Sequence, residues 1–151
     1  MPEYERYMKQ AIALAKQAAS QGEVPVGAVV VCDGEIVGTG FNRRESGKNA
    51  LYHAELEAID SACKRLGGWR LHRCEMYVTL EPCPMCTGAI INARIKTLVY
   101  GAHDAKAGSV ASVAQLFELP YNHKPCVVAG VLEEECARLL SDFFKQLRKT
   151  K

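Results

Sequence analysis

Four side chains in two short segments carry the chemistry this sequence offers. They are His53 and Glu55 in His53-Ala54-Glu55, and Cys83 and Cys86 in Pro82-Cys83-Pro84-Met85-Cys86. One imidazole and two thiols form the protein donor set of a catalytic zinc, with a fourth position left for water. Cys83 and Cys86 are three residues apart, so at a helix start they face the same way. The helix dipole there favours anions and lowers the cost of two thiolates, which together cancel the charge of Zn2+. Water held on such a zinc has its pKa lowered to roughly 7. Glu55, kept off the metal, would take and return protons as general acid and base, work that suits a partly buried carboxylate.

The elements that must position these residues are legible as periodicities. Residues 53–66 read as an amphipathic helix, with Ala58, Ala62 and Leu66 in one row, Ile59 and Cys63 beside it, and Glu57, Asp60, Ser61, Lys64 and Arg65 on the wet face. Asp60 and Lys64 are spaced for an i,i+4 ion pair. Glu55 falls on the apolar side, four, seven and eleven residues before Ile59, Ala62 and Leu66. A buried carboxylate is costly unless something there uses it. Two residues apart on an ideal helix, His53 and Glu55 point roughly 200° from each other. Both can therefore serve one site only if it caps the helix end, with His53 at or before the first turn. Pro82 and Pro84 suit the N-terminus of a second helix over 83–93, where missing N–H groups are tolerated.

Around these lie a helix over 3–20, a strand over 26–31, an Asp33-Gly34 hairpin turn, a return strand over 35–41 and a loop over 42–49. Gly67-Gly68 ends the helix after His53. Strands follow over 76–80, 97–100 (closed by Gly101) and 127–131, with a Gly/Ala/Ser-rich loop over 102–112, a short helix up to Glu118 and a last helix over 133–149. This order predicts one α/β domain over residues 1–151, a three-layer α/β/α arrangement of a mixed sheet of about five strands with helices on both faces.

Composition bounds the function class. A chain of 151 residues, 48% apolar and 24% charged, is an ordinary single globular domain, and its net charge of +2 does not by itself argue for nucleic acid. The start Met1-Pro2-Glu3-Tyr4-Glu5-Arg6 is charged and does not read as a signal peptide, and no apolar run approaches the ~18 residues of a membrane span. Seven cysteines, two of them in Cys-x-x-Cys, predict a reduced, cytoplasmic setting and metal binding over a disulfide framework. Cysteines 32, 63, 74, 126 and 136 read as buried packing, His72, His103 and His123 as surface or loop residues, and Trp69 as a core or interface anchor. A structural zinc site remains open from the residues alone, because Cys63, His72 or Cys74 could supply a fourth ligand, and iron could stand in place of zinc.

With these residues in hand, the chain resembles the bacterial tRNA-specific adenosine deaminase family of the cytidine-deaminase-like superfamily. The likeness runs over nearly its whole length, through G-E-V-P-V-G-A-V-V, Phe41-Asn42, H-A-E, L-G-G-W-R-L, Y-V-T-L-E-P-C-P-M-C, G-A-H-D-A-K, Tyr121-Asn122-His123 and G-V-L-E-E-E-C. His-x-Glu followed by Pro-Cys-x-x-Cys specifies only the zinc-deaminase superfamily, and the flanking strings select the tRNA branch. The resemblance implies a cytidine-deaminase-like fold and one Zn2+ per subunit on His53, Cys83 and Cys86. It further implies hydrolysis of adenosine to inosine at the wobble position of a tRNA anticodon stem-loop by a homodimer, hydroxide attacking C6 while Glu55 shuttles protons. By position, Asn42 would contact the flipped base, backbone near Ala54 and Glu81 would line the pocket, and Asp104 and Lys106 would meet the neighbouring sugar and phosphate. Arg43, Arg44 and Lys48 in one loop, and Lys145, Arg148, Lys149 and Lys151 at the C-terminus, suit RNA phosphates. Two segments depart from the family pattern, Leu51-Tyr52 before the ligand His and Ala107-Gly108-Ser109-Val110-Ala111-Ser112 after Lys106. The rival readings are a deaminase of a free base or nucleoside such as guanine or cytidine, and a non-catalytic zinc-stabilised RNA-binding module.

Overall fold

The structure, a computed structural model, describes residues 2–149, so Lys151 of the basic C-terminal cluster lies outside the described residues. In chain order the elements are helix α1 (Pro2–Ser20), strands β1 (Gly27–Cys32) and β2 (Glu35–Phe41), and helix α2 (Ala54–Leu66). Strand β3 (Cys74–Leu80), helix α3 (Pro84–Ala93), strands β4 (Thr97–Ala102) and β5 (Cys126–Ala129), and helix α4 (Glu133–Lys149) complete them. The short helix expected up to Glu118 is a 3-10 turn over Leu116–Glu118. The five strands form one mixed sheet in the order β2-β1-β3-β4-β5, antiparallel between β2, β1 and β3 and parallel between β3, β4 and β5.

The sheet is covered on both faces, which is why β1 and β4 are buried at every position instead of alternating. Ala28, Val30, Met76, Val78, Leu98 and Tyr100 point into a core beneath α2 and α3. Their neighbours Val29, Val31, Tyr77 and Val99 point the other way, onto Tyr7, Met8, Ala11 and Ile12 of α1 and Cys136 of α4. The three-layer expectation holds, and the details sharpen it. Asp33 and Gly34 both sit at positive φ (51° and 79°), as the two central residues of a type I′ hairpin turn require. Strand β3 begins at Cys74, two residues earlier than its pattern predicts. Strand β4 runs through Gly101 to Ala102, because a Cβ on Gly101 would collide with Cys136 and the bare backbone lets α4 lie against the sheet. Strand β5 stops at Ala129, before Gly130 turns the chain at φ 82°.

Three expectations about side chains need correction. Leu66, on the apolar row of α2 by its spacing, is 41% exposed, since the helix ends there at Gly67 in the left-handed conformation. Trp69, expected as a core or interface anchor, is half-exposed with its ring faced by the guanidinium groups of Arg70 and Arg94, which overturns the core alternative alone. Cys126, at the start of the outer strand β5, is exposed and Cys63 half-buried, whereas Cys32, Cys74 and Cys136 are buried as expected.

Strand directions decide where a site can form. Strands β2, β3 and β4 all run the same way, so their carboxyl ends emerge at one end of the sheet, the usual place for a ligand crevice in an open α/β sheet. Asn42, Glu81 and His103 are the first residues beyond those three ends.

Candidate active site

At that end of the sheet a cavity of about 510 Å3 is lined by Asn42, His53, Glu55, Glu81, Cys83, Asp104 and Lys106, among others. This volume falls within the range that holds a nucleoside-sized ligand. Its floor is made by two helix starts. Helix α2 comes close enough to the sheet because β2 carries Gly38 and Gly40 beneath it. A Cβ on Gly38 would overlap backbone at Ala58, and one on Gly40 backbone at Ala54. His53 is the N-cap of α2, with extended φ −84° and ψ 150°, and Glu55 is the second helical residue. The helix end is therefore capped by the site, which resolves how an imidazole and a carboxylate two residues apart reach one place. Cys83 is likewise the N-cap of α3, with Pro84 as the first helical residue and Cys86 one turn in.

These two helix ends bring His53, Cys83 and Cys86 together, with donor atoms all within 4.8 Å of one another. The imidazole turns Nδ1 toward both sulfurs, 3.6 Å from Cys83 and 3.5 Å from Cys86. Hydrogen bonding from the Cys86 thiol and from His53 holds the Cys83 thiol down at about 4, while Cys86 is pushed up by its bond to Cys83 and by burial. His53 is raised, chiefly by its hydrogen bond with Cys83. A thiolate, a second sulfur and an imidazole nitrogen at one point are a donor set that could hold a dication. Cys63, His72 and Cys74 are not part of the group among the described residues, so no fourth His or Cys ligand closes it. A closed structural zinc site is not what this geometry provides.

Glu55 is buried on the cavity floor, hydrogen-bonded to Cys86. Burial pushes its carboxyl up to about 7, and the negative charge on Cys83 adds to the effect, against the helix-start N–H of Glu55 itself and His53. A carboxyl poised near neutrality can both take and give a proton.

The remaining predicted positions separate. Asn42 lines the cavity, and its Oδ1 accepts the Ala54 N–H at 2.9 Å. That bond fixes the amide and leaves Nδ2 as the atom able to meet a ligand, while Ala54, buried at the first position of α2, is not itself in the cavity lining. Asp104 and Lys106 both stand on the rim. Asp104 Oδ1 accepts the N–H groups of Lys106 and Ala107, 3.0 and 3.2 Å away, and so shapes the turn that presents Lys106. Glu81 lines the cavity, yet its side chain is turned into the loop over 104–112 and accepts hydrogen bonds there. Burial alone would raise this carboxyl, but the Ser112 hydroxyl and the N–H groups of Ala111, Asp104 and Ser112 overcome it and hold it at about 2.

Sequence reasoning misses Leu140 and Phe144, which reach the cavity from α4. They are four residues apart on one helix face, and only the exposure of Phe144 distinguishes it from ordinary core. Leu51-Tyr52, the segment before His53 that departs from the family pattern, is not part of the cavity wall. The Tyr52 ring lies under the Arg43 guanidinium at 4.6 Å and packs where a Cβ on Gly47 would fall, while Arg43 Nε donates to Glu57 at 2.6 Å. Neither Leu51 nor Tyr52 is among the described residues lining the cavity.

Comparison with known proteins agrees with this site. The family of MafB19-like deaminases matches residues 3–148. A Bacillus subtilis (strain 168) protein described as a tRNA-specific adenosine deaminase is 51% identical over 152 residues, covering 100% of this chain and 94% of the relative. A solved structure from a study of A-to-I editing by tRNA:A34 deaminases at the wobble position of transfer RNA is similar with a TM-score of 0.87. It is 43% identical and covers 89% of this chain and 99% of that one. A guanine deaminase from Nitrosomonas europaea shares the fold (TM-score 0.76, 92% of this chain and 83% of that one) at only 23% identity. Full-length identity of this order, joined to the cavity and its cluster, shows that the chain belongs to the tRNA-specific adenosine deaminase family.

Proposed function

We propose that this protein hydrolyses adenosine to inosine at the wobble position of a tRNA anticodon, with Glu55 as proton carrier and His53, Cys83 and Cys86 as the ligands of one zinc ion. The observation that carries the reading is Glu55, a buried carboxylate beside the His/Cys/Cys group on the floor of a nucleoside-sized cavity. A non-catalytic module gains nothing from that placement. The choice of tRNA over a free base rests on full-length identity to relatives described as tRNA-specific adenosine deaminases. The guanine deaminase likeness, at 23% identity, speaks for the fold alone.

His53, Cys83 and Cys86 would hold the zinc ion, which when bound would supply Lewis-acid activation of water at neutral pH. The protein's own groups do the rest. Adenine, taken out of its stack, enters the cavity with C6 toward Glu55, held by Asn42 Nδ2. As water adds to C6, Glu55 takes one of its protons and delivers it to the adjacent ring nitrogen. Glu55 then takes the proton of the new C6 hydroxyl and passes it to the amino group. The C6–N bond breaks, ammonia leaves, and C6 keeps the oxygen as the carbonyl of inosine. Glu55 ends as it began. Asp104 and Lys106 on the rim bind the flanking sugar and phosphate, and Arg44, which also lines the cavity, extends the basic edge.

A cytoplasmic homodimer belongs to the same reading. No helix among the described residues is long and apolar enough to cross a membrane, and the homodimer is what the family resemblance implies. The deciding experiment offers zinc-loaded protein four substrates: tRNA with adenosine at the wobble position, free adenosine, guanine and cytidine. Inosine in the tRNA alone is expected, and turnover of guanine or cytidine without tRNA activity would overturn the reading.

A further inference from the structure

Residues 103–115 cross the rim of the cavity between β4 and the 3-10 turn with no ladder to hold them. They are rich in Gly, Ala and Ser and offer few apolar side chains to pack, so on composition alone the segment would be loose. Hydrogen bonds within the loop shape it, among them Asp104 Oδ1 with the Lys106 N–H and Gly108 N–H with the Asp104 carbonyl, and one buried side chain ties it to the end of β3. Glu81 Oε1 accepts the Asp104 N–H at 3.0 Å and the Ser112 hydroxyl at 2.5 Å. Glu81 Oε2 accepts the N–H groups of Val110, Ala111 and Ser112 at 3.2, 2.8 and 2.9 Å. Both ends of the loop are thus tied to a single carboxylate that is 1% exposed. The chain crosses closely over it at Gly108, where any Cβ would overlap the carboxylate carbon. Directly after Glu81, the Pro82 carbonyl accepts the Ser109 N–H at 2.9 Å, and the next residue is Cys83.

We infer that the Glu81 side chain is a positioning residue for substrate binding, holding the loop that presents Asp104 and Lys106 in register with the Cys83–Cys86 segment. The inference rests on the proposed function and goes beyond it, because Glu81 enters there only through its place on the cavity wall. The reacting atom is fixed from Cys83 and Cys86, the neighbouring nucleotide from Asp104 and Lys106, and Glu81 sets the distance between the two. The segment after Lys106, which departs from the family pattern, is the one that supplies four of the five donors. Three of these four donors are backbone N–H groups and Ser112 adds the one side-chain donor, while Gly108 is held to glycine by its approach to the carboxylate.

Glu81→Gln tests this, since an amide NH2 in place of either oxygen would face N–H groups and leave donors unpaired. On a tRNA anticodon stem-loop, zinc-loaded Glu81→Gln is expected to show KM raised on the order of tenfold with kcat within about twofold, the signature of lost substrate binding. Amide hydrogen exchange of residues 110–112 should rise to that of an open loop while β3 and β4 keep their protection. Gly108→Ala, which disturbs the same contact from the loop side, should copy both changes. Ser112→Ala, which removes one donor and leaves the fold alone, should shift KM the same way by less, and carries the test if the others do not fold. An unchanged KM, a fall in kcat at constant KM, loss of zinc, or retained protection at 110–112 would each overturn the inference. If the unaltered protein does not deaminate the stem-loop, the proposed function fails, and the exchange measurement still decides whether Glu81 holds the loop.

Discussion

Glu55 and Glu81 are buried carboxylates in the wall of one cavity, and they have been given opposite work. Glu81 receives five hydrogen bonds from the loop above it and is held at about 2, a permanent anion. Glu55, at the start of α2, has the Cys86 thiol and its own helix-start N–H against full burial and the charge of Cys83, and rises to about 7. Burial raises both carboxyls, most strongly at Glu55, so low exposure by itself does not decide the role. The count of donors aimed at the carboxylate does: a satisfied anion is scaffold, and an undersatisfied one can exchange a proton.

The contrast can be broken at Glu55 first, where the largest effect is expected. Glu55→Gln keeps the shape and removes the proposed proton carrier, so kcat should fall about 10²- to 10⁴-fold. Zinc bound per chain should stay the same, and the unfolding midpoint should not fall, because a costly buried acid has been replaced by a neutral amide. Metal analysis beside single-turnover kinetics checks this; loss of metal would make Glu55 a ligand and dissolve the distinction from Glu81. At Glu81 the sign of the stability change should reverse. Glu81→Ala strands four backbone N–H groups and a hydroxyl, and equilibrium unfolding in urea should show a loss of about 1–3 kcal/mol. Equal stability losses at the two positions would refute the assignment of roles by donor count.

How much of this is legible in the sequence follows from the range of the interactions. The floor is readable because it is local: His53 with Glu55, and Cys83 with Cys86, lie within a helical turn, and periodicity alone puts Glu55 on the inner face of α2. The layers are readable for the same reason, since β-branched runs and an Asp-Gly turn specify strands without knowing their partners. The rim is not. Glu81 reads as the end of a strand, and its partners lie 23 to 31 residues further on, in a stretch whose side chains announce nothing because the donors are backbone N–H groups. Phe144 and Leu140 read only as apolar positions of the last helix, because helix periodicity reports a face and not what the face meets. Tyr52 adjoins His53 in sequence, which suggests a residue at the substrate, whereas its ring supports Arg43 and Gly47.

A smaller effect is expected from the loop that Glu81 holds. Lys106 is exposed on the rim, so Lys106→Ala should leave stability and zinc unchanged. Affinity for the stem-loop should weaken, and the slope of log affinity against log salt should become shallower by about 0.7, the share of one phosphate on a single strand. Titrations at several salt concentrations measure it. An unchanged slope would leave Lys106 as a solvated surface residue and would place the neighbouring nucleotide elsewhere.

The smallest expected change lies at Glu23, a third buried carboxylate. Glu23 sits just before β1, and its two oxygens accept the N–H groups of Glu45 and Ser46 at 3.1 and 2.6 Å, tying down the loop that follows Asn42. Burial would raise its pKa, but the Ser46 and Glu45 N–H groups, the Ser46 hydroxyl and the charge of Arg44 together lower it below the ordinary 4.5. Glu23 therefore belongs with Glu81 and not with Glu55. A carboxylate whose folded pKa is depressed stabilises the fold above its unfolded value, and that contribution is lost as pH falls through the folded value. Glu23→Ala should thus be less stable than the unaltered protein at pH 7, by about 1 kcal/mol for the lost hydrogen bonds. The gap should narrow as pH drops below 4.5. A gap that stayed constant with pH would mean that Glu23 acts through packing alone, and donor count would then not sort even the two structural carboxylates.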